Sequence, residues 1–267
     1  MKKYRKIAYN GFKLKIYKEY VDENLLQKCC RNDLGKDPDF QPFSSSSYSR
    51  VFKFNYNGQE YFHKVFLNRN MFEPIKAMFR GSRAERSLQG SQLLLRHGFN
   101  VPGFILTGSK GNLNFSLTEA PPNARNLTQF VSEKFVPDLN REQIALKKRL
   151  IKKLGSVIGQ LHSQGIFHGD LRWGNILVQE SPLAIWFVDN ERTSIHGRYL
   201  SCKKRLKNLV QINMTLDPVI TRTDRIAFLI SYLRENRELL PRKNELAAQV
   251  QERTELRLAK HKAYNIN

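Results

Sequence analysis

The stretch Phe167-His168-Gly169-Asp170-Leu171-Arg172-Trp173-Gly174-Asn175-Ile176-Leu177-Val178, followed after a short turn by Ala184-Ile185-Trp186-Phe187-Val188-Asp189-Asn190-Glu191, decides how this chain is read. It opens as a loop with a carboxylate and an amide five positions apart. A short apolar strand follows, then a turn through Ser181-Pro182, then a second apolar strand ending in a carboxylate. Such a hairpin brings Asp170, Asn175 and Asp189 to one end. Groups of these types fit phosphoryl transfer: one carboxylate takes the proton of the acceptor hydroxyl, while an amide and a second carboxylate hold a Mg²⁺ that neutralises the phosphates. A lone Asp-x4-Asn spacing carries little. His168 before it, the Ile-Leu-Val strand after it and Asp189 at the end of the next apolar run supply the context that a short motif needs.

The spacing resembles the kinase catalytic loop H-x-D-x-x-x-x-N and the metal-binding aspartate beyond it. At 267 residues and 40% hydrophobic composition, the chain suits one two-lobed globular domain or two small ones. Its apolar runs are too short to span a bilayer, and Met1-Lys2-Lys3-Tyr4-Arg5-Lys6 lacks the apolar core of a signal peptide, so a cytoplasmic location is expected. Three cysteines, two of them the neighbours Cys29 and Cys30, make neither a disulfide framework nor a metal-ligand spacing. They read as reduced and structural. Against 24 acidic residues stand 45 Lys and Arg, a formal net charge of +21 that favours anionic partners and argues against a polycationic substrate. The basic clusters Lys147-Lys148-Arg149, Lys152-Lys153 and Lys203-Lys204-Arg205 read individually as solvated helix faces.

Outward from the central stretch, residues 7–17 alternate around Asn10-Gly11, a hairpin signal, while Asp22 to Asp39 is polar and mixed. The serines Ser44, Ser45, Ser46 and Ser47 read as a small flexible loop before two aromatic-rich strands joined at Asn57-Gly58. That is where a kinase keeps its phosphate-covering loop, and the second of the two strands then carries the phosphate-pairing lysine at Lys64. No G-x-G-x-x-G is present. Small serines would let backbone amides approach a phosphate, and poly-Ser is equally the composition of a mobile linker. Arg80 to His97 reads as a helix stopped at Gly98, and its Glu85 is placed to pair with Lys64, although a surface pair with Arg83 or Arg86 is the alternative. The strand Asn114 to Glu119 runs into Ala120-Pro121-Pro122-Asn123, which reads as the hinge where backbone groups receive adenine, or as a plain loop. Gln143 to His162 has apolar residues at helical spacing. Helices are also expected over 205–213, 223–236 and 239–262, the last with a basic end (Arg253, Arg257, Lys260, Lys262) that reads as solvated tail or membrane-facing patch.

The catalytic stretch, Phe187 to Arg192, Arg205-Leu206-Lys207-Asn208-Leu209-Val210-Gln211-Ile212-Asn213 and Thr221-Arg222-Thr223-Asp224-Arg225 together resemble the lipopolysaccharide core-sugar kinases, the Kdo and heptose kinases with a protein-kinase-like fold. The resemblance covers approximately residues 40–235. It implies an α+β, bilobal architecture: an N-lobe antiparallel sheet with one main helix over residues 1–120, and a mostly helical C-lobe over 121–267. It also implies ATP- and Mg²⁺-dependent phosphorylation of an inner-core sugar hydroxyl at the cytoplasmic face of the inner membrane. Asp170 would be the base, Asn175 and Asp189 the metal ligands, Lys64 the phosphate ligand with Glu85 as its partner. The implied acceptor is an anionic lipid-linked glycan, the lipopolysaccharide core. An anionic membrane surface is a second candidate partner and nucleic acid is not expected. Gly169 in place of the arginine of H-R-D, and Asp189-Asn190-Glu191 in place of D-F-G, argue against control by a phosphorylated activation loop. A kinase of a protein or other small molecule, and a nucleotide-binding protein without transferase activity, are the alternatives.

Overall fold

A computed structural model of the chain describes residues 4–31, 34–67, 81–136, 138–197 and 199–264. Two compact units emerge, one of residues up to Leu94 plus Val101–Ala124, the other of Leu95–Asn100 and the residues from Arg125 onward.

In the first unit, β1 (Arg5–Tyr9), β2 (Phe12–Ile16), β3 (Gln41–Ser46), β4 (Ser49–Tyr56), β5 (Gln59–Phe66), β6 (Phe104–Lys110) and β7 (Leu113–Glu119) form an antiparallel sheet in the order β1-β2-β6-β7-β5-β4-β3. Asn10-Gly11 and Asn57-Gly58 turn the first and third hairpins with φ of 49°, 78° and 50°, 78°. These left-handed pairs match the twist of the flanking strands. Alternation then sends Phe12, Leu14 and Ile16 into a core shared with Phe52, Phe54, Phe115 and Leu117. Residues 22–39 contribute more than their polar composition suggests. Asp22 caps α1 (Glu23–Cys29) by accepting the Leu25 N–H at 2.8 Å, and Leu25, Leu26, Cys29, Cys30 and Phe40 complete the core. Both cysteines are free, and burial pushes the Cys30 thiol up to about 12, which suits an inert packing role. The serines expected as a flexible loop are strand instead: Ser44 to Ser46 pair with β4, and Ser47-Tyr48 make the turn.

Helix α2 (Arg83–Arg96) stops before Gly98 at φ 82°; Arg80, expected at its start, lies outside the described residues. Its buried Arg83 donates to Tyr48 O (2.6 Å) and Leu67 O (3.0 Å), fastening the helix to the ends of β4 and β5.

The second unit carries α3 (Leu127–Lys134), α4 (Arg141–Ser163), α5 (Cys202–Asn213), α6 (Arg222–Glu235) and α7 (Lys243–Tyr264). Capping boxes start α4 at Asn140/Gln143 and α6 at Thr221/Asp224. These two helices run parallel and close: a Cβ at Gly155 would lie 2.4 Å from Phe228 O, and one at Gly159 would lie 2.9 Å from Tyr232 O. Lys147, read from its basic cluster as solvated, is buried. It pairs with Asp224 at 2.9 Å and donates to Val219 O at 2.8 Å, because α6 delivers a carboxylate to that face of α4. Short strands β8 (Arg125–Asn126), β10 (Ile176–Gln179) and β11 (Ala184–Phe187) form one small sheet, and β9 (Ile166–Phe167) with β12 (Ser194–Ile195) another.

Candidate active site

Between β9 and β10 the chain coils tightly: the Arg172 N–H bonds Asp170 O and the Asn175 N–H bonds Arg172 O, both at 2.9 Å. Leu171, Ile176, Leu177 and Val178 are fully buried and anchor the loop from below. The β10–β11 pairing continues past Ile176↔Phe187 through Val188 N–H to Asn175 O (3.0 Å), so Asp189 follows directly beside the loop. There the backbone is left-handed (φ 58°, ψ 47°), which turns the chain out of the strand. His168 braces the two segments. Its Nδ1 accepts the Asp170 N–H (3.3 Å), and its Nε2 faces Val188 O (3.2 Å) and Asn190 Oδ1 (3.0 Å). Burial lowers its pKa against the pull of the Asp189 and Asp170 carboxylates, which suits a neutral imidazole donating through Nε2.

Asp170, Asn175 and Asp189, singled out from the sequence, are thereby brought together. Asn175 Nδ2 donates to Asp170 O (2.9 Å) and Oδ2 (3.1 Å), and Arg172 Nη2 donates to the same Oδ2 at 2.6 Å. The Arg172 pKa is raised first by that hydrogen bond, with the Asp170 and Asp189 charges adding to it, so both carboxylates act on one neighbourhood. With Nδ2 committed, Asn175 Oδ1 accepts no hydrogen bond among the described residues. An amide oxygen beside a carboxylate is a donor set of the kind Mg²⁺ takes. No three His, Cys, Asp or Glu side chains cluster into a metal site among the described residues. A Mg²⁺ here would draw its other ligands from phosphates and water.

Sequence reasoning missed what lies beneath. Gln211 on α5 donates through Nε2 to Asp170 Oδ1 (3.3 Å) and accepts the Leu171 N–H (3.2 Å) and Asn208 Nδ2 (3.0 Å). Asn208 in turn donates to His168 O (2.6 Å) and meets His162 Nε2 (3.1 Å), whose Nδ1 meets the Tyr232 hydroxyl (3.0 Å). Burial lowers the His162 pKa to about 3, which keeps its ring neutral between Asn208 and Tyr232. The only sequence signal was the 205–213 stretch, which marked a family without showing a partner. Gly169 is explained by the same packing. A Cβ there would lie 2.2 Å from Arg192 Cβ and 2.8 Å from Arg192 O, so the arginine of H-R-D has no room.

In the first unit Lys64 sits mid-β5, in register with Val51 and Ser116, its Nζ 5.2 Å from the Phe66 ring centre. Glu85 departs from expectation. Among the described residues its ion pair is with Lys15 on β2, not Lys64, and it exchanges backbone bonds with Ser82 (2.9 and 3.2 Å) as a capping box for α2. Burial raises its pKa, but the bonds from Lys15 and Ser82 outweigh this and leave it below the usual carboxylate range. Ser46 Oγ meets Ser49 Oγ (3.1 Å) and accepts the Tyr48 N–H (3.2 Å), tightening the turn. At the end of β7 the N–H groups of Glu119 and Ala120 are spent on Gly103 O (2.9 Å) and Glu60 O (2.8 Å), and Pro121 and Pro122 have none. From Glu119 to Pro122, therefore, the backbone has no spare donor, and of its carbonyls Ala120 O accepts from Gln59 Nε2 (3.3 Å) and Pro121 O from the Ala124 N–H (3.1 Å). The Glu119 carboxylate itself bonds the Tyr20 hydroxyl, with Lys18 at 3.7 Å.

An antiparallel sheet in the first unit, a helical second unit and this loop geometry define a protein-kinase-like fold. The structure of "WaaP in complex with acyl carrier protein" matches it with a TM-score of 0.58 at 19% identity, over 83% of this chain and 92% of that one. An aminoglycoside-3'-phosphotransferase of type VIII matches at 0.50 and 17%, over 82% and 95%. Residues 44–232 match the model of the lipopolysaccharide kinase (Kdo/WaaP) family, and the chain belongs to that family. A 3-deoxy-D-manno-octulosonic acid kinase of Vibrio parahaemolyticus serotype O3:K6 (strain RIMD 2210633) is 30% identical over 143 residues. That match takes in 50% of this chain and spans about half the length of the relative, 55%. No helix among the described residues is long and apolar enough to cross a membrane.

Proposed function

We propose that this protein transfers the γ-phosphoryl group of ATP to a sugar hydroxyl, on Kdo or heptose, of the lipopolysaccharide inner core. The observation that carries this reading is the meeting of Asp170, Asn175 and Asp189 in a chain of the Kdo/WaaP family. Asp170 takes the proton of the sugar hydroxyl, held in orientation by Arg172, Asn175 and Gln211. Asn175 Oδ1 and the Asp189 carboxylate would hold Mg²⁺, which would offset the negative charge of the ATP phosphates. Lys64 serves the phosphates, the serine hairpin Ser44 to Ser47 covers them, and the carbonyls following Glu119 accept from the adenine amino group. Glu85 contributes indirectly, by starting α2.

A basic groove between α4 and α6, with Arg149, Lys152, Lys153 and Arg234 against Glu235, supports a peripheral position on an anionic membrane at its cytoplasmic face. Binding to vesicles that rises with anionic lipid and falls with salt is the expected behaviour, and equal binding to neutral vesicles would count against it. The decisive experiment for the activity is phosphate transfer from labelled ATP with and without purified lipopolysaccharide core. Label should appear on the core and vanish in Asp170→Asn. Label on protein or on another small molecule alone would favour a different kinase activity, and nucleotide binding with no transfer would favour a nucleotide-binding protein.

A further inference from the structure

One face of α5 addresses the catalytic loop residue by residue. Lys204, Lys207, Asn208 and Gln211 follow the i, i+3, i+4, i+7 spacing of a single helical face. The Nζ atoms of Lys204 and Lys207 lie 5.8 Å and 5.2 Å from the centre of the Phe167 ring, Asn208 bonds the carbonyl of His168, and Gln211 reaches Asp170. Two ammonium groups thus flank the ring immediately before the loop, on the same helical face that holds the candidate base.

Neither lysine has a carboxylate partner among the described residues. The polar neighbour of Lys204 is the His196 ring, 2.9 Å from each nitrogen, which also meets Ser194 Oγ at 2.7 Å. Burial and then the Lys204 charge lower the His196 pKa, so this imidazole adds no third charge and compensates neither of the two present. A ring face orients an ammonium group but provides no counter-ion. Among the described residues the two buried cations of this unit are neutralised, Lys147 by Asp224 at 2.9 Å and Arg205 by Glu238 at 3.0 Å, and the half-buried Arg225 is held by Asn213 O and Thr215 O at 3.0 and 2.9 Å. Lys204 and Lys207 have neither a carboxylate nor a carbonyl partner among the described residues, beside the loop that carries Asp170.

Resting on the phosphotransferase reading above, we propose that Lys204 and Lys207 form the subsite for an anionic group of the acceptor, a carboxylate or a phosphate, and so hold its hydroxyl within reach of Asp170. The test combines acceptor kinetics with direct binding. With lipopolysaccharide core as acceptor, Lys204→Ala and Lys207→Ala should each raise the acceptor KM about tenfold, and the double variant more, while the KM for ATP stays at the wild-type value and Lys207→Arg restores binding. Calorimetric titration with 3-deoxy-D-manno-octulosonate, its methyl ester and inorganic phosphate separates the sources. Loss of binding on esterification assigns the subsite to a carboxylate, whereas tight inorganic phosphate binding that the double variant loses assigns it to a phosphate. Unchanged acceptor KM in the double variant, with wild-type protein turning the core over, overturns the subsite and leaves the activity standing. Should wild-type protein not phosphorylate the core, the activity fails, and the titrations still decide the subsite: weaker binding of the sugar acid or phosphate to the double variant upholds it, and equal binding overturns it. Lys207 is exposed, so its substitution leaves the fold intact, which thermal melting verifies.

Discussion

Beneath Asp170 the polar partners are buried, with His162, His168 and Asn208 at 0% exposure and Gln211 at 4%. In the first unit, by contrast, the pairs Lys15–Glu85 and Lys18–Glu119 keep roughly a third of each side chain in solvent. Buried, mutually satisfied bonds fix geometry, since each is costly to break where water cannot replace it. Exposed ion pairs are worth about 0–1 kcal/mol and exchange partners cheaply. The contrast sets the two units apart. Asp170 and Asn175 stand in a preset geometry, while the carboxylates of the first unit, Glu85 and Glu119, can exchange partners.

The largest effects should come from the preset side. Asp170→Asn keeps the shape but removes the proton acceptor, so turnover should fall about 10²- to 10⁴-fold with MgATP affinity near wild type. Asp189→Asn should weaken Mg²⁺-dependent nucleotide binding as well as turnover. Nucleotide titration with and without Mg²⁺ beside a transfer assay separates the two, and full transfer by Asp170→Asn would remove it as base. Gln211→Leu touches no substrate yet frees Asp170 Oδ1, so kcat should drop about 10- to 100-fold with KM for ATP unchanged. A change in KM for ATP alone would mean that the buried network does not serve the base.

Acid should instead act on a buried histidine in each unit, His63 on β5 and His162 on α4. His162 titrates near 3 and His63 near 4 in the folded protein, each below the ordinary 6.5, because burial disfavours the charged ring. The unfolded chain therefore binds protons first. The stabilisation is complete above pH 6.5 and is lost as pH falls from there toward 3. Urea midpoints measured from pH 7 to 4 should decline steadily, and His162→Gln should flatten the decline. A pH-independent midpoint in wild-type protein would contradict neutral burial.

The smallest effect should separate Lys64 from Glu85. Lys64→Ala should raise the KM for ATP and lower turnover. Glu85→Gln should cost only about 1 kcal/mol, from the lost Lys15 pair and a weakened cap, with kinetics near wild type. Its depressed pKa places that contribution above the ordinary carboxylate range, fading as pH falls through the lower folded value. If Glu85→Gln instead reproduces the Lys64→Ala kinetics, the strand lysine and the helix glutamate do work as a pair.

The sequence was legible where chemistry and spacing are local. His168 to Asp189 is one loop and one hairpin, so the distance between its functional groups follows from the chain itself. Asn-Gly turns were legible for the same reason. Lys147 was misread because its carboxylate arrives from α6, and Gln211 was invisible because only folding brings α5 beneath the loop. Ser44 to Ser46 looked like a flexible loop because β3 is the last strand of its sheet among the described residues, where the apolar–polar alternation of a half-buried strand fades. Helix α1 hid behind polar neighbours, although Asp22 followed by Leu25, Leu26 and Cys29 held the cap and the buried stripe.

The left-handed corner at Asp189 limits which residues this position can carry. Outside glycine, aspartate and asparagine adopt that conformation most readily, and a β-branched residue there is a conformational outlier. If Asp189 is the proposed metal ligand, the position answers to two demands at once, one on the backbone and one on the carboxylate, and their overlap is nearly a single amino acid. Glycine would satisfy the turn without the carboxylate; glutamate would keep the carboxylate and strain the turn. A degenerate copy of this gene that has lost catalysis but kept its fold should therefore carry glycine or asparagine at position 189 more often than alanine or valine.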